Sequence, residues 1–510
     1  MSTGSGTSAA RERAASGAAA ARERAASGAA AARERAASGV VAAVDLGATS
    51  GRVMIGRVGP DLLEAHAVAR FPNTPVRTRD GLHWSVTTLY GSIIDGLRTA
   101  VRDFPDLGSI GVDSWAVDYA LLRQGRMLGE PFHYRDDRST RGVDAVHGMY
   151  PHRDLFTRNG LQFLPFNTLY QLASEDPAIL GFADSALLIP DLISYWLTGV
   201  ARVERTNAST TGLLRVSDGS WDDELISALR IPPHLLPELI APGELIGDLA
   251  TDVMSQLGAA RSIPVHAVGS HDTASAVVAV PMQADAAAYI SCGTWGLVGV
   301  EVERPVLTDE AREAGFTNEG GVDGRIRLLH NVMGLWILTE TIRGWERSGL
   351  PADLGTLLSA AAAEPGDRPV FDVNDPAFLA PGDMPTRIDA WYSTHGIPAP
   401  SSQAGYVRCI VESLAQAFAD AALTAGRLGG VPVQTIHIVG GGALNELLCQ
   451  RTADRAGLPV LAGPVEATAL GNILVQARAI GLIDGSLEDL RYRVVRTHPP
   501  RRFAPSGRTP

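Results

Sequence analysis

Apolar residues in this chain gather in short runs that stop abruptly at glycine. Val40-Val41-Ala42-Ala43-Val44 is one such run and predicts a buried strand. A turn with Gly47 and Gly51 follows, Val53-Met54-Ile55 resumes a strand, and residues 68–71 suggest a third. Strand, glycine turn and strand in immediate succession make a hairpin, not a βαβ dinucleotide unit. Residues 90–101 read as a helix and Ser109-Ile110-Gly111-Val112 as a short buried strand. Residues 187–197 read as a strand or loop entering a helix, and residues 264–268 as a strand ending at Gly269. The opening design then recurs. Ala288-Tyr289-Ile290-Ser291 is a strand, Cys292-Gly293-Thr294 a turn, and residues 295–300 a second strand. A long Ala-rich helix is expected over 407–428, a strand over 435–439 running into Gly440-Gly441-Gly442, and a helix from Leu444.

The first 38 residues break this pattern. Ala-Arg-Glu-Arg-Ala-Ala-Ser-Gly recurs with Arg11, Arg22 and Arg33 at equivalent places, a period of 11 residues. The unit is helix-prone but has almost no large apolar side chains, so it is expected to be disordered or a frayed helix outside the fold. The length of 510 residues predicts two or more domains at roughly 100–200 residues each. The two hairpins then divide the chain into an N-terminal domain over 39–281, a C-terminal domain over 282–485 and a tail over 486–510.

Composition removes several chemistries. There is no lysine anywhere in the chain; every basic side chain other than histidine is arginine. A P-loop needs a lysine on the phosphates, protein kinases need a strand lysine, and Schiff-base or pyridoxal-phosphate chemistry needs a lysine amine. Only three cysteines occur, Cys292, Cys409 and Cys449, far apart and without a CxxC pair. That fits a reduced cytoplasm and argues against a zinc site or a disulfide framework. The net charge of −12 disfavours nucleic-acid partners. No apolar run approaches the ~20 residues of a membrane-spanning helix. Either a monomer or a homodimer is compatible with this composition.

The candidate chemistry lies where strands end. In Asp45-Leu46-Gly47-Ala48-Thr49-Ser50-Gly51-Arg52, small residues let the backbone close on a phosphate and Arg52 adds a fork of donors. An ordinary tight hairpin would read the same way. Ser291-Cys292-Gly293-Thr294-Trp295-Gly296 is a plausible mate, and Gly440-Gly441-Gly442 offers a third stretch of bare main chain at a strand end. Asp272, within Ser270-His271-Asp272-Thr273-Ala274-Ser275, follows a buried strand and precedes a helical stretch. Its carboxylate could accept a hydroxyl proton, or simply cap the helix.

These segments resemble the FGGY carbohydrate kinases: Asp45 to Arg52, the turn at 292–294 and the triple glycine match that family's motifs. Within it, the chain is most similar to the branch that phosphorylates L-rhamnulose. Asp113-Ser-Trp-Ala-Val-Asp118, Tyr134-Arg-Asp-Asp-Arg138, the run 161–172, Ser270 to Ala276, Thr317-Asn-Glu-Gly-Gly321, Asn331-Val-Met-Gly-Leu-Trp336 and Ala462 to Ala467 carry that likeness. The resemblance implies an α/β fold of two actin-like, ribonuclease-H-like domains with the active site in the cleft between them. It implies ATP-dependent phosphorylation of L-rhamnulose at its 1-hydroxyl, with Asp272 as general base. Ala116, His271, Thr273 and Asn331 would touch the sugar. Ala48, Thr49, Ser50, Gly51, Arg52, Thr294, Thr339 and Gly441 would bind ATP, and Asp45 would face a Mg2+ ion on the phosphates. Ala116 replaces an expected glycine and Thr339 an expected glutamine, which leaves room for another ketose or polyol such as L-fuculose or L-xylulose. An actin- or Hsp70-like ATPase without a sugar acceptor is the reading from another class.

Overall fold

The computed structural model describes residues 38–365 and 369–507 and is built on two mixed β-sheets of like design. In the first, β1 (Gly39–Leu46), β2 (Ser50–Val58) and β3 (Leu63–Pro72) form an antiparallel meander. Next to β1 on its other side lies β4 (Leu107–Ser114), in parallel. Beyond it, β5 (Leu245–Asp248) is an antiparallel edge, separated from β4 by the parallel β6 (Pro264–His266). The expected strands over 40–44, 53–55, 68–71, 109–112 and 264–268 all coincide with these elements.

The second sheet repeats the scheme. β7 (Ala287–Cys292) and β8 (Gly296–Val302) form the hairpin, extended by β9 (Thr317–Gly320) and β10 (Ile326–Val332). On the other side of β7 come β11 (Thr435–Val439) and β12 (Val460–Ala462), both parallel, and then the antiparallel edge β13 (Arg501–Phe503). The repeated hairpin-plus-parallel arrangement is the duplicated α/β architecture expected from the two glycine turns.

Helices cover the sheets because apolar residues recur on one face of each. In α1 (Val86–Asp103), Val86, Leu89, Ile93, Ile94, Leu97, Ala100 and Val101 are buried at helical spacing, and they join Val40, Ala42 and Val44 of β1 in one core cluster. The alternate β1 residues, Val41 and Ala43, point to the opposite face and pack into a separate cluster. Two elements from different halves meet there, α2 (Asp272–Val278) and, far along the chain, α4 (Ala467–Ala479); α3 (Gln403–Gly429) covers the second sheet. Asn472 of α4 donates through Nδ2 to Asp113 Oδ2 at 2.6 Å, and Gln476 donates to the Ala42 carbonyl at 3.0 Å. The two halves are thus joined through buried polar contacts as well as apolar ones.

The helix expected from Leu444 starts later: residues 441–444 form a 3-10 turn, and Asn445 accepts from the Leu448 amide at 3.0 Å to cap a helix beginning at Glu446. The described part of the segment expected as a tail, residues 486–507, is built into the fold: α5 (Leu487–Thr497) buries Leu487, Leu490 and Val494, and β13 pairs with β12. Arg491 within α5 makes a buried ion pair with Glu301 at 2.6 Å. The 11-residue repeat lies outside the described residues, Ser38 excepted. Among the described residues, no helix is long and apolar enough to cross a membrane.

Candidate active site

A cavity of about 550 Å3 opens between the two halves, and all three glycine turns reach it. The first hairpin contributes Asp45, Ala48, Thr49, Ser50 and Arg52; the second contributes Thr294; the triple-glycine loop contributes Gly441. Ala116, His271, Asp272, Thr273 and Asn331 line the same space. Gly51 and Thr339 do not. Gly51 pairs with Leu46 across the hairpin and packs under Phe71, whose ring a Cβ would meet at 2.2 Å, so its small size serves packing. Thr339 lies on the helix Trp336–Arg347, its amide donating to the Leu335 carbonyl at 2.8 Å, off the cavity wall.

The turns are held open by backbone geometry. Gly47 N donates to Ser50 O at 2.9 Å, and Asn73 fastens the turn by donating from Nδ2 to Gly47 O and from its amide to Thr49 O. Across the cavity, the triple glycine leans on Cys292. Gly440 has φ of +80°, and a Cβ on it would stand 2.9 Å from the Cys292 carbonyl oxygen. A Cβ on Gly442 would stand 2.2 Å from Cys292 Sγ. Gly441 between them would meet nothing within 4 Å, so its main chain is bare toward the cavity.

Charge is concentrated on the floor. Arg52 donates through Nη2 and Nε to Asp45 Oδ2 at 2.6 and 2.8 Å and also pairs with Glu466, which Arg70 holds at 2.7 Å. Burial pushes the Asp45 carboxyl up, against the pull of Arg52. Burial, with the neighbouring Asp45 and Asp272 charges, pushes Asp113 well above the carboxylate range. Asp113 Oδ1 is buried with no hydrogen-bond partner. Among the described residues no three metal-ligating side chains converge. Asp45 and Asp272, the aspartates on the cavity wall, suit a cation carried in mainly by phosphates and water; Asp113 is buried behind them.

Asp272 is the first residue of α2, and the capping position before it belongs to His271, with no side-chain cap bond. The carboxylate therefore faces the cavity rather than the helix amides, about one-third exposed at 32%. Thr273 Oγ1 donates to its Oδ1 at 3.1 Å, and His271 Nε2 lies 3.5 Å from the same oxygen. Asn331 is oriented by Gln162, from the 161–172 segment, whose Oε1 accepts from its Nδ2 at 3.1 Å.

The wall around Ala116 is strained and strongly braced. Val117, a β-branched residue, has φ of +68°, a conformation it adopts only when its surroundings impose it. Thr168 donates to its carbonyl at 2.7 Å. Next to it, the buried Asp118 accepts from Trp84 Nε1 at 2.6 Å, Trp115 Nε1 at 3.1 Å, Gln171 Nε2 at 2.9 Å and the Tyr134 amide at 3.2 Å. Burial pushes this carboxyl up to about 6 in spite of its donors. Trp115 and Tyr134 both line the cavity, so Asp118 sets that wall without touching it.

Sequence reasoning assigns no role to Glu319, Glu466, Arg70 or Trp295, all of which line the cavity. The first two lie in segments that carry the family resemblance. A charged side chain that folds inward bears no local mark distinguishing it from a solvated one, so nothing in the pattern singles them out.

Similarity to known proteins agrees with this geometry. Residues 40–279 match the model for the FGGY family of carbohydrate kinases, N-terminal domain, and residues 288–480 the model for its C-terminal domain. A rhamnulokinase from Pectobacterium carotovorum is 41% identical over 473 residues, covering 91% of this chain and 92% of that protein. One from Klebsiella pneumoniae is 42% identical over 440 residues, covering 85% and 88%. The solved structure of a gluconate kinase from Lactobacillus acidophilus superposes with a TM-score of 0.74 at 16% identity, covering 92% and 94% of the two chains, which is a likeness of fold. Two family domains in order over nearly the whole described chain, with relatives this similar, lead to one conclusion: the chain belongs to the FGGY family of carbohydrate kinases.

Proposed function

We propose that this kinase transfers the γ-phosphoryl group of ATP to the 1-hydroxyl of L-rhamnulose, with Asp272 as general base. The observation that carries the reading is a carboxylate at 272 sharing one cavity with three glycine turns. The relatives named rhamnulokinase, about 40% identical, support the choice of sugar. In this reading Ala116, His271, Thr273 and Asn331 hold the ketose. Ala48, Thr49, Ser50, Arg52, Thr294 and Gly441 hold the nucleotide, and Gly51 contributes only through the packing of its hairpin. Residues 39–281 form the sugar- and phosphate-binding domain and 282–485 the nucleotide domain.

Phosphoryl transfer asks a protein mainly for alignment and charge neutralisation. Asp272 takes the proton of the sugar hydroxyl, the new bond forms between that oxygen and the γ-phosphorus, and the bond to the β-phosphate oxygen breaks to release ADP. Arg52 offers donors to the phosphates, and Asp45 is the side chain that would face a magnesium ion bound to them. Such an ion would supply neutralisation of phosphate charge. Enclosure between the halves keeps out water, the competing nucleophile.

A second reading, another ketose or polyol as acceptor, is favoured by one observation: Ala116 puts a methyl group on the cavity wall where a glycine is expected. A panel of L-rhamnulose, L-fuculose, L-xylulose and glycerol with coupled detection of ADP separates the two. The largest kcat/KM is expected for L-rhamnulose; preference for another acceptor overturns the sugar assignment, and ATP hydrolysis indifferent to every sugar overturns the kinase reading.

A further inference from the structure

Arg135 starts in the first half and ends in the second. Its amide is fixed locally, donating to His133 Nδ1 at 2.9 Å. Its guanidinium crosses the seam, where Nη1 donates at 2.7 Å to the carbonyl of Leu379, just after the 3-10 turn Pro376–Phe378. The guanidinium carbon stands 4.2 Å from the centre of the Trp336 ring, 5.5 Å from that of Trp295 and 5.3 Å from that of Tyr134. A planar cation stacks well on aromatic faces, and more strongly out of water. Arg135 Nη2 is buried and has no hydrogen-bond partner among the described residues, so the ring faces are what offset its burial.

The rings gathered by Arg135 belong to the cavity, although Arg135 itself does not line it. Tyr134 and Phe166 of the first half and Trp295 of the second form one aromatic row along its wall. Ring centres are 5.4 Å apart for Tyr134 and Phe166, and 6.2 Å apart for Phe166 and Trp295. Arg135 lies against both ends of the row. Trp336, the ring nearest the guanidinium, is tied to the second glycine turn: its amide donates to the Thr294 carbonyl at 3.2 Å, and the Leu335 amide to the Gly293 carbonyl at 3.0 Å. Trp336 Nε1 also donates to the Phe378 carbonyl at 3.1 Å, beside the carbonyl that Arg135 holds. One guanidinium thus joins the wall that carries Tyr134 to the turn that carries Thr294.

We propose that Arg135 is a positioning residue that clasps the two halves along this aromatic row, keeping the sugar hydroxyl in line with the nucleotide and sealing the cavity against water. This rests on the reading of the cavity as a sugar kinase site. With the clasp in place, the bond to the γ-phosphorus forms from the sugar oxygen. With it loosened, a water oxygen takes that place: its proton goes to Asp272, the bond to the β-phosphate oxygen breaks, and ADP and inorganic phosphate leave. The signature of a lost clasp is therefore ATP consumed without sugar phosphate formed.

Parallel assays of ADP, inorganic phosphate and sugar phosphate on the full chain test this. The wild type is expected to form ADP and sugar phosphate in equal amounts. Arg135→Met keeps a long side chain but neither charge nor donors. It is expected to lower kcat for sugar transfer by about tenfold or more, to raise the KM for sugar, and to release a measurable share of the phosphoryl groups as inorganic phosphate. Arg135→Lys, which keeps the charge, is expected to recover part of both losses. Wild-type kcat and coupling in Arg135→Met overturn the proposal, even if the melting temperature falls, because the contact would then be structural only. A second measurement needs no active variant. In wild-type protein labelled with 15N-arginine, the Arg135 Nε proton, identified by its loss in Arg135→Lys, is expected to be shifted upfield by the rings. An unshifted, freely exchanging guanidinium overturns the proposal whatever the fate of the variants. Absence of sugar phosphorylation by the wild type overturns the functional reading instead and leaves the clasp to be decided by the spectra.

Discussion

Gly471 of α4 lies directly over Ser275 of α2, so close that a Cβ on Gly471 would fall 1.8 Å from the Ser275 carbonyl oxygen. The helix that carries Asp272 is therefore seated against a helix from the other end of the chain, with no room for a methyl group between them. Gly471→Ala is expected to lower stability by about 1–3 kcal/mol in denaturant unfolding. Gly91→Ala in α1, where an added methyl meets nothing within 4 Å, is the control and should be neutral or stabilising by up to ~1 kcal/mol.

Asp272→Asn keeps the size of the side chain and removes its capacity to accept a proton. The expected result is a fall in turnover of about 10²–10⁴-fold with sugar affinity, measured by calorimetry, nearly unchanged. A near-normal rate would remove Asp272 from the mechanism.

Gly440 and Gly441 are adjacent but constrained differently. Gly440→Ala forces an alanine to φ of +80° and against Cys292, so it should both raise the KM for ATP and lower the melting temperature. Gly441→Ala places a methyl in open cavity, so the KM for ATP should rise with the melting temperature unchanged. Equal effects of the two on stability would contradict this division.

Asp118 is expected to make sugar binding pH-dependent. As pH falls through about 6 the carboxyl takes up a proton and loses acceptor capacity for Trp84, Trp115 and Gln171, which loosens the wall around Ala116. The KM for sugar is expected to rise below pH 6 in the wild type and to lose that dependence in Asp118→Asn. Stability shifts the other way: the folded-state value lies above the ordinary 3.8, so this group favours the fold most below about pH 4 and progressively less as the pH rises to 6.

The parts of the site that are written as local pattern are legible in the sequence alone. Runs of Val and Ala ending at glycine mark both hairpins, and Asp272 lies beside a strand end and a helix start. The parts that are not legible depend on partners far apart in the chain. Glu319 and Arg327 reach His271 only because β9 and β10 pair and are set against α2. Arg52 and Glu466 are joined across 414 positions. The tightness that makes Gly51 and Gly442 necessary comes from Phe71 and Cys292, neither of which a turn motif specifies. Thr339 rests on likeness alone, with no neighbouring pattern to check it against.

The order in which a ribosome releases the chain gives one consequence of α4 lying on β1. The strands of the first sheet emerge early, but Val41, Ala43 and Met54 on one face are covered by Leu470, Ile473 and Leu474, which follow some four hundred residues later. A nascent chain halted after the first half would show water an oily surface that only its last helices can shield. Fragments ending before residue 467 should therefore clump or recruit chaperones, and adding the missing segment as a separate peptide should render them soluble.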